Sequence, residues 1–184
     1  MNRENGNVKN QNNILVVDLE ATCWFNDEER KGQANEIIEI GYVVADLRNN
    51  NILENEGIMV KPTTSKVSEF CTKLTTIKPE DVELAISYGQ ALVEIKKVMD
   101  KYGIFSWASY GDYDRAMFQR QCQREGFLNP MPKKHINISH LVEILNGGQR
   151  VGMDRALKLF GLPLHGTHHR GKDDAFNINE LLYC

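Results

Sequence analysis

The sequence predicts an α/β fold in which a central mixed sheet of five strands is flanked by helices. Near the start of the chain, three strand-like runs at 14–19, 37–46 and 52–61 lie close together and predict an antiparallel meander. Further along, helical segments alternate with two more strand-like runs. That alternation predicts parallel strands added to the same sheet.

Amino-acid composition predicts the first three strands. "ILVV" at 14–17 is a short apolar run typical of a buried strand, and "IIEIGYVVAD" and "ILENEGIMVK" are rich in residues that favour strands. The polar stretch 26–36 is predicted to be a loop, and "LRNNN" is a turn signal. The two connections are short enough for neighbouring strands to pair.

The rest of the chain predicts helices and short strands. "KPEDVELA" and "SYGQALVEIKKVMDKYG" predict helices, the second beginning after Ser87 and ending at Gly103. "IFSWASY" at 104–110 and "HINIS" at 135–139 predict strands, and the helix "DYDRAMFQRQCQREG" lies between them. Helices over "HLVEILN", "MDRALKLFG" and "DDAFNINELLY" follow. One apolar stripe on the second helix is formed by Leu92, Ile95, Val98 and Met99.

Length and composition fit one globular domain. The chain has 184 residues, of which 41% are hydrophobic, and we assign a single domain to residues 14–184. Residues 1–13 are polar and Asn-rich, which predicts a disordered tail and not a signal peptide. No apolar run approaches the roughly 20 residues needed to span a bilayer. We therefore expect a cytoplasmic protein that does not contact membranes.

The charge distribution argues against a general polyanion binder. The formal net charge is −3. Residues 1–100 carry 11 Lys and Arg against 17 Asp and Glu, whereas residues 101–184 carry 11 against 8, so one face could still meet phosphates. The four cysteines are scattered and form no CxxC pair, which predicts free thiols, with a zinc or disulfide framework as the alternative.

Two acids stand at the end of the first strand. Asp18 and Glu20 are two residues apart, so their side chains share a face and repel each other. Asp114 and Asp174 each lie in the first turn of a predicted helix. Exposure to solvent would explain the first pair, and the helix dipole would explain the other two acids. Alternatively, acids from distant segments converge to bind two hard divalent cations, Mg²⁺ or Mn²⁺.

The stretch "HGTHHRGKDDAF" at 165–176 places histidines just before a helix. His169 precedes Asp174 by five positions, and an imidazole there could accept a proton from a water molecule. A surface histidine in a glycine-rich loop is the simpler interpretation. Zinc bound by His165, His168 and His169 with a cysteine is a third, although no stretch contains a complete ligand set.

Three motifs resemble those of the DEDDh superfamily of 3′→5′ exonucleases, which have a ribonuclease H-like fold. They are "DLEATC" at 18–23, "YDRAMF" at 113–118 and "HRGKDDAFNI" at 169–178, and the similarity spans residues 14–184. "SEFCTKLTTI" at 68–77, "SWASYGDYDRAMF" at 106–118 and "HINIS" look like the subgroup of histone-mRNA 3′ exonucleases, Eri-type regulators and KapD.

The resemblance implies a role for each motif residue. Asp18 matches the acid that bridges two metal ions, Glu20 and Asp174 match ligands of the ion that holds the nucleophilic water, and Asp114 matches the acid on the second ion. His169 matches the general base. His168, with Asp173, keeps the same spacing and is a minor alternative. The implied cofactors are two Mg²⁺ or Mn²⁺ ions.

The resemblance also implies contacts to the terminal nucleotide, and for the aromatic residues core packing is an equally good interpretation. Trp24 is a further candidate for stacking on a base. Relatives often read LTGI where this chain has "LTTI", so Thr76 replaces a glycine and makes Thr75 the least secure assignment. The implied nucleotide-binding residues are Ala21, Thr22, Phe70, Leu74, Thr75, Tyr113 and His169.

The implied activity is hydrolysis of single-stranded nucleic acid from a free 3′ end, with RNA favoured and a nucleoside 5′-monophosphate as product. A non-catalytic RNA-binding module, an endonuclease and an oligoribonuclease-like enzyme are the alternatives. A protein partner or a local basic patch would aid binding by an acidic chain. Candidates for that patch are Arg115, Arg120, Arg124, Lys133, Lys134 and Arg170.

Overall fold

The structure, a computed structural model, describes residues 12–184 and contains a mixed sheet flanked by helices. Within these residues the sheet has six strands, in the order β4-β3-β2-β1-β5-β6. The strands are β1 (Asn13–Ala21), β2 (Ile37–Asp46), β3 (Asn51–Lys61), β4 (Ile86–Ser87), β5 (Ser106–Ser109) and β6 (Lys134–Asn137).

The helices occupy the connections between strands and the C-terminal part of the chain. A 3₁₀ turn, Leu181–Tyr183, follows the last of them. The helices are α1 (Asp27–Arg30), α2 (Glu69–Thr75), α3 (Pro79–Glu83), α4 (Tyr88–Tyr102), α5 (Tyr113–Glu125), α6 (Ile138–Leu145), α7 (Met153–Leu159) and α8 (Gly171–Glu180).

The strand pairing confirms the predicted topology. β1 and β3 both pair with β2 in antiparallel fashion, and β5 and β6 add in parallel beyond β1. The prediction of five strands was wrong by one, because β4 also pairs with β3. This strand is only two residues long, and its Ser87 is also the N-cap of α4, so no strand pattern marks it.

Some element bounds differ from those predicted. β1 begins at Asn13, inside the predicted tail, and the tail up to residue 11 lies outside the described residues. Helix α1 lies in the predicted loop 26–36, where the Asn26 side chain accepts a hydrogen bond from the backbone N of Glu29. Helix α2 was not predicted. β6 ends at Asn137, because Ile138 and Ser139 belong to α6.

The core lies on both faces of the sheet, with β1 at its centre. Leu15 and Val17 pack with α4 and α5 on one face, whereas Ile14 and Val16 pack with α6, α7 and α8 on the other. A strand buried on both faces is a continuous apolar run, which explains "ILVV". The acids that follow this run therefore lie at the end of a central, buried strand.

Neither a membrane-spanning helix nor a disulfide bond is found among the described residues. Among residues 12–184, no helix combines the length and the apolar character that crossing a bilayer requires. All four cysteines are free thiols, as the sequence predicts.

Candidate active site

The four predicted acids converge at the C-terminal end of β1. Asp18 and Glu20 come from that strand, Asp114 from the first turn of α5 and Asp174 from the first turn of α8. All four line one cavity of about 310 Å³. His169 lines it as well, so the structure brings together all five predicted catalytic residues.

Three of the acids form a tight group. Carboxylate oxygens of Asp18, Glu20 and Asp174 lie within 4.8 Å of one another. Since Asp18 and Glu20 alternate with Leu19 along β1, their shared face follows directly from the strand period. Asp174 reaches the group because α8 packs against both β1 and β2.

Asp114 lies outside this group of three carboxylates and is held by a backbone hydrogen bond. It is buried, and its Oδ1 accepts a hydrogen bond of 2.9 Å from the backbone N of Leu19. This bond ties the start of α5 to the end of β1 and fixes the direction of the carboxylate. Asp114 therefore lines the cavity without belonging to the tight group of three.

The site concentrates negative charge in a poorly solvated place. Burial, followed by the charge of Asp114, raises the pKa of Asp18 well above its usual range. Burial, together with Asp174 and Glu39, raises the pKa of Glu20 to about 9. Burial also raises the pKa values of Asp174 and Asp114, the latter to about 6 although the hydrogen bond from Leu19 opposes the shift. The group therefore favours binding protons or cations.

No lysine or arginine neutralises this charge among the ion pairs of residues 12–184. The single contact of the four acids with a basic side chain there is that of Asp174 with His168. Arg170, directly before α8, pairs instead with Glu39 at 3.2 Å. The charge is thus available to a ligand.

The two histidines occupy different positions around Asp174. His168 directs Nδ1 at this carboxylate, 3.0 Å from Oδ2, whereas His169 donates its backbone N–H to the same oxygen at 2.8 Å. The rings stack with centroids 3.9 Å apart. His169 has a φ of +65°, which turns the chain sharply before α8. The sequence did not predict the contact between His168 and Asp174.

The protonation of His169 suits a base. Burial, followed by the neighbouring His168, lowers the pKa of His169, and Asp174 only partly opposes this shift. The imidazole is therefore neutral near neutral pH and can accept a proton. Both rings line the cavity, so the assignment of the base to His169 stays a prediction.

The sequence also matches the exonuclease family over residues 15–182. The chain belongs to this family. Relatives of the exonuclease domain include the 3′-5′ exonuclease Snipper of Drosophila melanogaster, 25% identical over 92% of the chain and 67% of the relative. The 3′-5′ exoribonuclease 1 of Homo sapiens is 28% identical over 91% of the chain and 50% of the relative.

Solved structures agree with this assignment. The nuclease domain of 3′hExo, a DEDDh family member bound to rAMP, has a TM-score of 0.86 and 26% identity, covering 94% of this chain and 90% of that one. The resemblance to DEDDh exonucleases is therefore confirmed. The chain spans between about a quarter and two-thirds of the length of several curated relatives, for example 28% of ERI1 exoribonuclease 2 of Mus musculus.

The predicted nucleotide contacts of the exonuclease domain divide into two groups. Ala21, Leu74 and Tyr113 line the cavity, together with Cys23 and Met153, which the sequence did not predict. Tyr113 is 49% exposed and Leu74 is 38% exposed, so both are accessible to a ligand. These side chains form the apolar part of the cavity.

The other predicted contacts do not line that cavity. Thr22 and Thr75 are buried, and their hydroxyls bond to Ser65 and to the backbone O of Cys71. Phe70 packs edge-on against Phe25. The hydroxyls of Thr22 and Thr75 are thus both bonded to other protein atoms. Trp24 lies in a separate groove with Lys31 and Lys66.

The predicted basic patch is largely engaged in contacts within the exonuclease domain. Arg115 pairs with Asp112 at 2.8 Å. Arg170 pairs with Glu39, and Lys134 lies over the ring of Phe105. The nearest acid to Arg124 is Glu125 at 3.6 Å. These contacts weaken the case for a continuous phosphate-binding patch.

Proposed function

We propose that the protein is a divalent-metal-dependent 3′→5′ exonuclease that releases nucleoside 5′-monophosphates from single-stranded nucleic acid, with RNA favoured. The observation that carries the proposal is the convergence of four acids and a histidine on one cavity, without a lysine or arginine partner in residues 12–184. The preference for RNA draws on relatives named exoribonucleases and on the rAMP-bound neighbour.

The donor set fits two divalent ions. Asp18, Glu20, Asp114 and Asp174 would hold them, and four carboxylates are the hard oxygen ligands that Mg²⁺ or Mn²⁺ prefer. Among the described residues, neither potential ligand group contains a cysteine, which argues against the zinc alternative. Two such ions, when bound, activate a water molecule and stabilise the attacking and departing oxygens of a phosphodiester.

The protein's own residues supply orientation and proton transfer. Asp18 and Glu20 are fixed by β1, and Asp114 by its bond to Leu19, so the carboxylates need little rearrangement to act together. The neutral imidazole of His169 accepts the proton of the attacking water at a ring nitrogen. Transfer then depends on the sharp backbone turn that directs residue 169 toward the cavity.

The open side of the cavity is suited to a terminal nucleoside. The ring of Tyr113 and the side chain of Leu74 offer apolar surface next to the acids. Aromatic stacking on a base is tolerant of sequence, because every base has a π-face. We therefore expect binding of the 3′ nucleotide with little discrimination among bases.

A degradation assay tests the proposal. A 5′-labelled single-stranded RNA with Mg²⁺ or Mn²⁺ should be shortened stepwise from its 3′ end, and EDTA or Asp18→Asn should abolish the ladder. Asp27→Asn, which alters an exposed acid of α1, is the matched control and should leave the rate unchanged. Absence of degradation of both RNA and DNA by the wild type would overturn the proposal.

Substrate variants separate the alternatives. A circular RNA should resist cleavage, because it has no 3′ end, and its cleavage would indicate an endonuclease. A length series from dinucleotides upward detects an oligoribonuclease-like preference. Matched RNA and DNA measure the preference for the 2′-hydroxyl. A protein partner and the cytoplasmic location stay predictions.

A further inference from the structure

A buried acid, Glu39, lies next to the carboxylate cluster but outside it. It stands opposite Glu20 in the pairing of β1 and β2, and its side chain is 2% exposed. Its oxygens are not part of the tight group of three acids. Instead, Oε2 accepts hydrogen bonds from the backbone N of Gly171 at 3.0 Å and from Nε of Arg170 at 3.2 Å.

These two bonds hold the start of α8. The N–H of Gly171 is one of the first-turn groups that find no partner within a helix, and a carboxylate there also suits the helix dipole. Arg170 in turn accepts the backbone N–H of Asp174 at 2.8 Å through its carbonyl. Any displacement of residues 170–171 would therefore move the carboxylate of Asp174 and the backbone of His169 bonded to it.

Three glycines make room for this contact. A Cβ added to Gly41 of β2 would overlap the carbonyl group of Gly171, so the helix start lies directly on the strand. A Cβ added to Gly57 of β3 would lie 2.8 Å from Oε1 of Glu39, so the third glycine leaves space for the acid itself. The shape of the sheet is thus fitted to Glu39 and to the start of α8.

We propose that Glu39 is a positioning residue of the exonuclease site, which fixes the start of α8 and thereby the carboxylate of Asp174 and the backbone of His169. The inference rests on the proposed 3′→5′ exonuclease function. A positioning role requires a side chain as long as that of glutamate, with a hydrogen-bond acceptor at its end. A role as a fifth metal ligand, or as a source of charge, requires a negative charge instead.

Two substitutions separate the effect of side-chain length from the effect of charge. Glu39→Gln keeps the length and an acceptor oxygen but removes the charge, whereas Glu39→Asp keeps the charge but is shorter by one methylene, about 1.5 Å. The matched control is Glu56→Ala, since Glu56 is an exposed acid of β3 that pairs with Lys172 of the same helix. The measurements are hydrogen exchange over residues 168–175, Mn²⁺ affinity, and kcat and KM on single-stranded RNA.

The expected results differ clearly between the variants. Glu39→Gln should stay within about threefold of wild type in Mn²⁺ affinity and kcat, because both donors keep their acceptor. Glu39→Asp should lose about tenfold or more in both, with little change in KM, and should expose residues 168–175 to faster exchange. Glu56→Ala should behave as the wild type.

Two outcomes would overturn the proposal, and a third would overturn only the proposed function. A Gln variant that loses function while the Asp variant keeps it would assign Glu39 a role through its charge. Unchanged properties in both variants would leave it no positioning role. If the wild type degrades no nucleic acid, the proposed function fails, while exchange and Mn²⁺ affinity still decide on Glu39: unchanged values in the Asp variant refute the positioning.

A second variant covers the case in which Glu39→Asp does not fold. Arg170→Ala removes one of the two donors to Glu39 and keeps the bond from Gly171. It should accelerate exchange over residues 168–175 and lower kcat. Unchanged exchange and kcat in this variant would refute the proposal.

Discussion

Replacing Glu20 with Gln should make the protein more stable when no divalent cation is present. Glu20 is only 7% exposed, and burial with the charges of Asp174 and Glu39 raises its pKa to about 9. In the unfolded chain the pKa returns to the ordinary value of 4.5. Between these two values the folded state binds more protons than the unfolded state, so the free energy of unfolding falls as the pH rises.

The size of the stability change follows from the difference between the solution pH and the ordinary pKa of Glu20. At about pH 7.5, some three pKa units separate the solution from the unfolded-state value, which amounts to an upper limit of about 4 kcal/mol. Because Glu20 shares its charge with three other acids, we expect about 2–4 kcal/mol of added stability in Glu20→Gln. The difference should vanish near the ordinary pKa of 4.5.

The assay is urea unfolding followed by tryptophan fluorescence in the presence of EDTA, at about pH 5 and pH 7.5. Glu56→Gln, which neutralises an exposed acid, serves as the control and should change little. Adding Mn²⁺ should reverse the order, since the cation stabilises the wild type by binding to its folded state. A Glu20→Gln protein that is no more stable than the wild type at pH 7.5, or a difference independent of pH, would refute the reasoning.

Three further predictions concern the backbone and the base. Thr76→Gly should raise the free energy of unfolding by about 1 kcal/mol in urea titration, because Thr76 ends α2 with a φ of +62°. Gly41→Ala should lower the melting temperature markedly, since its Cβ would overlap Gly171, and an unchanged value would contradict the packing described. His169→Ala should lower kcat on RNA by about a hundredfold or more, whereas His168→Ala should cost less; the reverse order would assign the base to His168.

Local patterns predicted the parts of the site but not their assembly. The period of a β-strand placed Asp18 and Glu20 on one face, and the structure agrees. Nothing local says that α5 and α8 bring Asp114 and Asp174 to the same strand end, because that depends on how the chain crosses the sheet. The family resemblance, carried by three motifs in order, supplied this information.

The elements that the sequence did not predict were missed for physical reasons. A two-residue strand such as β4 has no periodicity to detect, and α1 lies in a stretch whose polar composition resembles a loop. The assignment of Thr22 and Thr75 to the nucleotide stays a prediction, and their hydroxyls bond to protein partners that are distant in sequence or lie one turn earlier in α2. A signal for Glu39 was present, since "IIEIG" places one acid inside an otherwise apolar strand.

The most direct test of the central claim counts the ions that the acids bind. Titration of the protein with Mn²⁺ in a calorimeter should give two ions per chain in the presence of a nucleoside 5′-monophosphate. Asp18→Asn should lose most of this binding, because Asp18 lies in the tight group of three carboxylates. Equal Mn²⁺ binding by the wild type and Asp18→Asn, or no binding by either, would contradict the account.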